Sequence, residues 1–274
     1  MGKFMFLLTE YGRYRELLYA SCVARRIADE VKKLGHEVIL IERPSPSDAN
    51  KAIKEHKPHV VWWVGHGNRY VTTLERVKIW ISAQKECGGS YGDKNKDILR
   101  NTAACALSCL TGACLGKVLC EKYGCIAYLG YSKLFWFVWC YDPKYYNCAC
   151  QGKNPWGVRE ELWKKMVESM HEANLYFILG LAKGMTAEEA MKYSIKRFDY
   201  WIKYFENVKP KNANEASIIR TVIWCLENDK GGTVLHGRKD YRVPRKVSMA
   251  LAAPLVLLAI GSAFSYISAK RGGG

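Results

Sequence analysis

Carboxylates are scarce in this chain: 26 Asp and Glu stand against 42 Lys and Arg, a formal charge of +16 over 274 residues. An excess of that size favours anionic partners, whether lipid headgroups, acidic protein surfaces or nucleic acid. The features that would select nucleic acid are missing. There is no zinc-finger spacing, no RNA-binding signature and no concentrated Lys/Arg block before the C-terminal tail, so no nucleic-acid partner is expected. Internal repeats and low-complexity segments are absent too. The first βα turn, Glu10-Tyr11-Gly12-Arg13-Tyr14, holds one glycine in place of a phosphate-cradling series, which argues against a flavodoxin-like nucleotide binder. No cofactor is expected. The opening apolar run, Phe4-Met5-Phe6-Leu7-Leu8, is too short for a signal peptide, and no small-residue cleavage site follows it. The main domain is therefore expected on the cytoplasmic side.

What the sequence does have is an uncharged apolar stretch at residues 247–269. At about 1.5 Å per residue it would extend about 33 Å, against a bilayer core of about 30 Å. Pro254 breaks a soluble helix but is tolerated in lipid. A single transmembrane helix is expected there. Arg238, Lys239, Arg242, Arg245 and Lys246 precede it, and only Lys270 and Arg271 follow. The positive-inside rule then keeps residues 1–243 cytoplasmic in a single-pass membrane protein, with lipid as one partner. Setting the tail aside leaves about 245 residues, enough for one full hydrophobic core.

The preceding chain alternates apolar runs with helical spacing. Residues 3–9, 36–42 and 59–64 read as strands, and 14–34 and 49–57 as helices. Residues 71–83 read as helix or mixed structure, and 87–97 as a polar, Gly-rich loop where a processing cut would fall most easily. Residues 102–107 and 125–130 are further strands, and 116–123 a short helix. Residues 141–157 are loop, and 158–181, 186–207 and 214–227 are helices, the second opened by the capping-box pattern Thr186-Ala187-Glu188-Glu189. Residues 232–243 form a last strand-like stretch. This order implies an α/β domain with a mostly parallel sheet.

There are 11 cysteines, and because disulfides are rare in reducing compartments, hyperthermophiles excepted, free buried thiols are the expectation for Cys22, Cys87, Cys120, Cys125 and Cys225. A disulfide between Cys109 and Cys114 is conceivable. Cys140, Cys148 and Cys150 offer three thiolates at a spacing that is not a zinc ribbon. No metal site is expected, and a disulfide within that loop is the stronger alternative.

In open α/β sheets functional groups collect at the carboxyl ends of strands. His66 follows the third strand and precedes Gly67; Cys109 follows the strand after the polar loop. An imidazole there can take a thiol proton and later protonate a leaving amine, and the thiolate it creates is a potent nucleophile. Gly67 lets the backbone approach closely enough for its N–H to stabilise an oxyanion together with that of Cys109. Cys105 is the lesser candidate, because it lies mid-strand, where buried thiols are inert.

Val60-Val61-Trp62-Trp63-Val64-Gly65-His66-Gly67 resembles the hydrophobic-block-then-His-Gly motif of caspase-like (clan CD) cysteine peptidases. Ala106-Leu107-Ser108-Cys109-Leu110-Thr111-Gly112 resembles their nucleophile motif, in a form closest to the gingipain and CHAT branches. The resemblance covers residues 3–243, including Thr233-Val234-Leu235-His236-Gly237, where Arg238 replaces the acid often found in those relatives. It implies a three-layer αβα sandwich with a mostly parallel sheet. His66 would be the general acid/base and Cys109 the nucleophile, with Gly67 and Cys109 giving backbone oxyanion donors. The reaction would be peptide-bond hydrolysis through a thioester, with a protein or peptide as substrate. A non-catalytic interaction module of the same fold is the alternative.

Overall fold

Strands and helices alternate from the start of the chain. In the computed structural model, which describes residues 1–9, 15–74, 78–90, 92–137 and 157–244, β1 (Lys3–Leu8), α1 (Arg15–Lys33), β2 (Glu37–Glu42), α2 (Pro46–His56) and β3 (Val60–Val64) come first. A small insertion follows: β4 (Gly67–Asn68), β5 (Val71–Leu74), β6 (Lys78–Ser82) and the single turn α3 (Gln84–Cys87). Then come β7 (Ala103–Leu107), α4 (Leu115–Tyr123), β8 (Ala127–Tyr131), α5 (Glu160–Ala182), α6 (Ala187–Glu206), α7 (Ala213–Gly232) and β9 (Thr233–Gly237). Met1–Pro244 forms one compact unit.

The main sheet has six strands in the order β2-β1-β3-β7-β8-β9. All neighbours are parallel except β9, which runs antiparallel to β8. Alternation along the strands splits the core in two. Phe4, Phe6, Leu8, Val60, Trp62, Val64, Cys105 and Leu107 face α1, α5, α6 and α7. Met5, Leu7, Val61, Trp63, Ala104 and Ala106 face α2, α4 and the insertion. Strands buried on both faces must read as continuous apolar runs, and VVWWV and AACAL do.

Helix ends follow their capping chemistry. Ser45 and Asp48 close a capping box on α2, and Thr186 and Glu189 the expected one on α6, where Thr186 Oγ1 accepts from Glu189 N at 3.2 Å and Glu189 Oε2 from Thr186 N at 2.7 Å. Such caps contribute about 1 kcal/mol each. α1 ends at Gly35, whose φ of 82° lies in the left-handed region that terminates helices.

The structure corrects one element. Residues 71–83, expected as helix or mixed, hold the antiparallel pair β5–β6, with β4 paired to β5. A bulge between Thr72 and Thr73 breaks the two-residue alternation, and all four residues of β5 are buried.

No helix among the described residues is long and apolar enough to cross a membrane. The helix expected over 247–269 lies outside those residues, as do residues 141–156 of the expected loop with Cys148 and Cys150, and Cys140 just before it.

Candidate active site

The β3–β7 pairing places the two motif residues. Val64 pairs with Leu107 in register, and His66 and Cys109 each lie two residues beyond that pair, at the carboxyl ends of adjacent parallel strands. Neighbouring strands are about 4.8 Å apart, so the two short extensions leave the sheet side by side. Both residues are half-buried. The His66 carbonyl is fixed by the insertion, accepting from Thr73 N at 2.9 Å and from Thr73 Oγ1 at 3.1 Å.

Gly67 lies directly against the cysteine turn. A Cβ at Gly67 would overlap Ser108 Oγ and come within 2.7 Å of Thr111 Cγ2 and 3.0 Å of the Cys109 carbonyl oxygen. The glycine is required by this close approach and not by an unusual backbone angle. Ser108 is held from the other side: Trp63 Nε1 donates to Thr72 Oγ1 at 2.9 Å, and Thr72 Oγ1 to Ser108 Oγ at 3.3 Å. Thr111 Oγ1 donates to the Ser108 carbonyl at 3.1 Å, closing the turn. Leu110, immediately after the cysteine, has φ +58°, a left-handed conformation that costs a non-glycine residue about 1 kcal/mol or more. Strain of this kind persists only where the surroundings impose it. Here Leu110 N donates to the Lys133 carbonyl at 3.1 Å and Gly112 N to that of Tyr131 at 2.9 Å.

The Cys109 thiol points toward the strap that follows β8 and donates to the Phe135 carbonyl at 3.8 Å. Its pKa is raised above the ordinary thiol value. Burial is the main cause, a backbone interaction with Phe135 opposes it, and the Asp229 carboxylate adds to it. The resting group is thus a thiol, and nucleophilic attack from it needs a base in the same step. No backbone carbonyl among the described residues takes up the Cys109 amide, which lies by its own sulfur. That leaves the amide available to an oxyanion.

Cys105 is fully buried, with its thiol 3.4 Å from Asn174 Oδ1 and its pKa driven far up by desolvation. It is part of the core. Asn174 also accepts from Trp62 Nε1 at 3.0 Å and donates to Tyr131 OH at 3.1 Å, tying α5 to three strands.

Two cysteine expectations are overturned. Cys87 is not a free thiol: it forms a disulfide with Cys114, Cα–Cα 5.9 Å, joining α3 to the N-cap of α4. That pairing also removes the conceivable Cys109–Cys114 bond and leaves Cys109 as a free thiol. Cys22 is likewise disulfide-bonded. Cys120, Cys125 and Cys225 are free, as expected. Among the described residues no group of three or more His, Cys, Asp or Glu could hold a metal ion.

One acid near the nucleophile has no sequence motif. Asp229, 1% exposed, sits in the last turns of α7 and accepts from Trp136 N at 2.9 Å and Asn228 Nδ2 at 3.3 Å. Asn228 Nδ2 also reaches the Leu134 carbonyl at 2.8 Å, and Ser132 N the Gly232 carbonyl at 2.7 Å. The end of α7 therefore grips the same strap that meets Cys109. Only an acid three residues before a Gly232 that closes a helix hints at this in the sequence.

No protein-family model and no curated protein matches this sequence.

Proposed function

We propose that this chain is a membrane-anchored, caspase-like cysteine endopeptidase with a three-layer αβα domain. What carries the reading is the placement of His66 and Cys109 two residues past the paired Val64 and Leu107, with Gly67 seated against the cysteine turn. In the proposed reaction His66 removes the thiol proton as Cys109 sulfur attacks the substrate carbonyl. The oxyanion is met by the Gly67 and Cys109 amides. His66 then protonates the departing amine, and water hydrolyses the thioester. A protonated resting thiol fits this order, in which ionisation accompanies attack.

The tail fits a single transmembrane helix on its length and flanking charge, with the peptidase domain on the cytoplasmic side. The alternative is a catalytically silent module of this fold, which a raised thiol pKa fits equally.

A peptide-library cleavage assay on the full chain in detergent separates the two. Cys109→Ala and His66→Ala should each lower the rate by about 1,000-fold or more, with unchanged circular dichroism. If a thiol-directed covalent probe labels wild type and Cys109→Ala equally, Cys109 is not the nucleophile.

A further inference from the structure

The amino ends of the strands, opposite His66 and Cys109, carry two basic hollows. The first, a cavity of about 440 Å³, is lined by Lys54, Lys57, His59 and Arg100, with Asp97 as its one carboxylate. It lies just before β3 and β7, since His59 and Thr102 line it. Lys54, Lys57 and Arg100 are exposed, and among the described residues none of them pairs with a carboxylate. The second, about 460 Å³, is lined by Lys183, Lys192, Lys196 and Arg242, with Glu189 as its one carboxylate.

Lys183 belongs to the same end of the sheet. Gly2 N donates to His36 Nδ1 at 3.2 Å, so His36 Nε2 carries the proton and donates to the Ala182 carbonyl at 2.8 Å, beside the start of β1 and β2. In the second hollow Arg242 pairs with Glu189 at 3.2 Å and Lys192 with Glu188 at 3.4 Å, while Lys196 pairs with no carboxylate among the described residues.

The chain leaves the domain at this same end. Tyr241 OH donates to the His59 carbonyl at 3.4 Å, and Val243 packs so closely on Gly2 that a Cβ there would overlap its side chain. The uncharged stretch begins four residues after Val243.

We infer that the amino-end face of the sheet is a docking surface for an anionic bilayer, its two hollows taking phosphate headgroups of the lipid. The chain leaves by this face at Val243, four residues before the uncharged stretch, and cationic side chains without carboxylate partners gain most from an anionic surface. This inference rests on the tail being a membrane helix and is independent of the peptidase reading. Joined to the peptidase reading, it has a consequence for substrates. From His59 to His66 the chain rises about 23 Å at about 3.3 Å per residue. The cysteine therefore opens away from the bilayer and reaches segments that stand clear of it.

The test reconstitutes the full chain in nanodiscs of phosphatidylcholine alone or with phosphatidylglycerol, and follows lysine acetylation by mass spectrometry. Lys54, Lys57, Lys183 and Lys196 should react at least fivefold more slowly on the anionic discs, with Lys117 and Lys133 unchanged. The protection should vanish in 0.5 M salt, where surface attraction is screened. Lys57→Glu with Arg100→Glu should restore fast labelling of Lys54 while leaving Cys109 alkylation at the wild-type rate. Equal labelling on both lipids overturns the docking face. So does the same protection on neutral discs with inorganic phosphate added, which would mark the hollows as sites for a free anion. Extraction of the chain from neutral liposomes by alkaline carbonate would overturn the anchor and the docking face together; retention with lipid-independent labelling overturns the docking face alone.

Discussion

The two faces of the central sheet are covered by layers of very different size. On the α1/α5/α6/α7 face, long helices bury a large apolar surface, and a single side chain, Asn174, joins Trp62, Cys105 and Tyr131 by hydrogen bonds. On the other face the layer is thin: α2, α4 and a three-stranded insertion, packed around Trp63, Trp80 and Tyr128 and stapled by Cys87–Cys114. The helical face also carries a disulfide, at Cys22 of α1, but a small layer gains less from packing, so a covalent link should matter most on the thin face. The cysteine turn spans both. Cys109 packs on the helical face, whereas Ser108 bonds to the insertion.

Substitutions can break or sharpen that contrast. The largest structural effect is expected at Asn174. Asn174→Leu leaves three buried polar groups without their partner, at about 1–3 kcal/mol each. A loss of about 4 kcal/mol in urea unfolding is expected, the same in oxidising and reducing buffer. A loss below about 1 kcal/mol would mean that packing alone holds the helical face.

Next is the staple. Cys87→Ser opens a link of sequence separation 27, which should cost about 3–4 kcal/mol in the oxidised protein. The cost should disappear when variant and wild type are both reduced. If the Asn174→Leu and Cys87→Ser effects add within about 0.5 kcal/mol, the two faces are energetically separate; a larger coupling would mean that the cysteine turn transmits between them.

The smallest effect depends on pH. His171, 1% exposed on α5 between the Tyr19 and Phe137 rings, has no hydrogen-bond partner on either ring nitrogen among the described residues, and burial lowers its pKa from 6.5 to about 3. The unfolded chain takes up the proton first as pH falls. The stability tied to neutral His171 is therefore complete above the unfolded value and drains away toward the folded one. Relative to His171→Leu, wild type should lose about 2–3 kcal/mol between pH 7 and pH 4.5. Parallel stability curves for the two proteins over that range would mean that the imidazole is solvated.

The parallel core was legible because both-face burial leaves uninterrupted apolar runs. KFMFLL, VVWWV and AACAL became β1, β3 and β7, and the residues just past the last two are the candidate site. The insertion was not legible. Val71, Leu74, Val77 and Ile81 recur at three and four, a helical spacing, while the bulge at Thr72/Thr73 erases the alternation of a strand. Cys87 reads as a core thiol because nothing local shows that α3 ends beside the N-cap of α4. Asp229 is hidden for a similar reason: its contact with the strap exists only once α7 packs against residues 132–136.

The Cys87–Cys114 link also decides what a nick would do. The polar Gly-rich segment that begins at Cys87 lies between the two bonded cysteines. A protease cutting after any residue from 88 to 108 would divide the polypeptide but not the molecule. The His66 half and the Cys109 half would travel together on a non-reducing gel and part only when thiol is added. Cleavage in this segment would thus make a two-chain protein whose pieces share one site, with a reductant, not a second cut, controlling their separation.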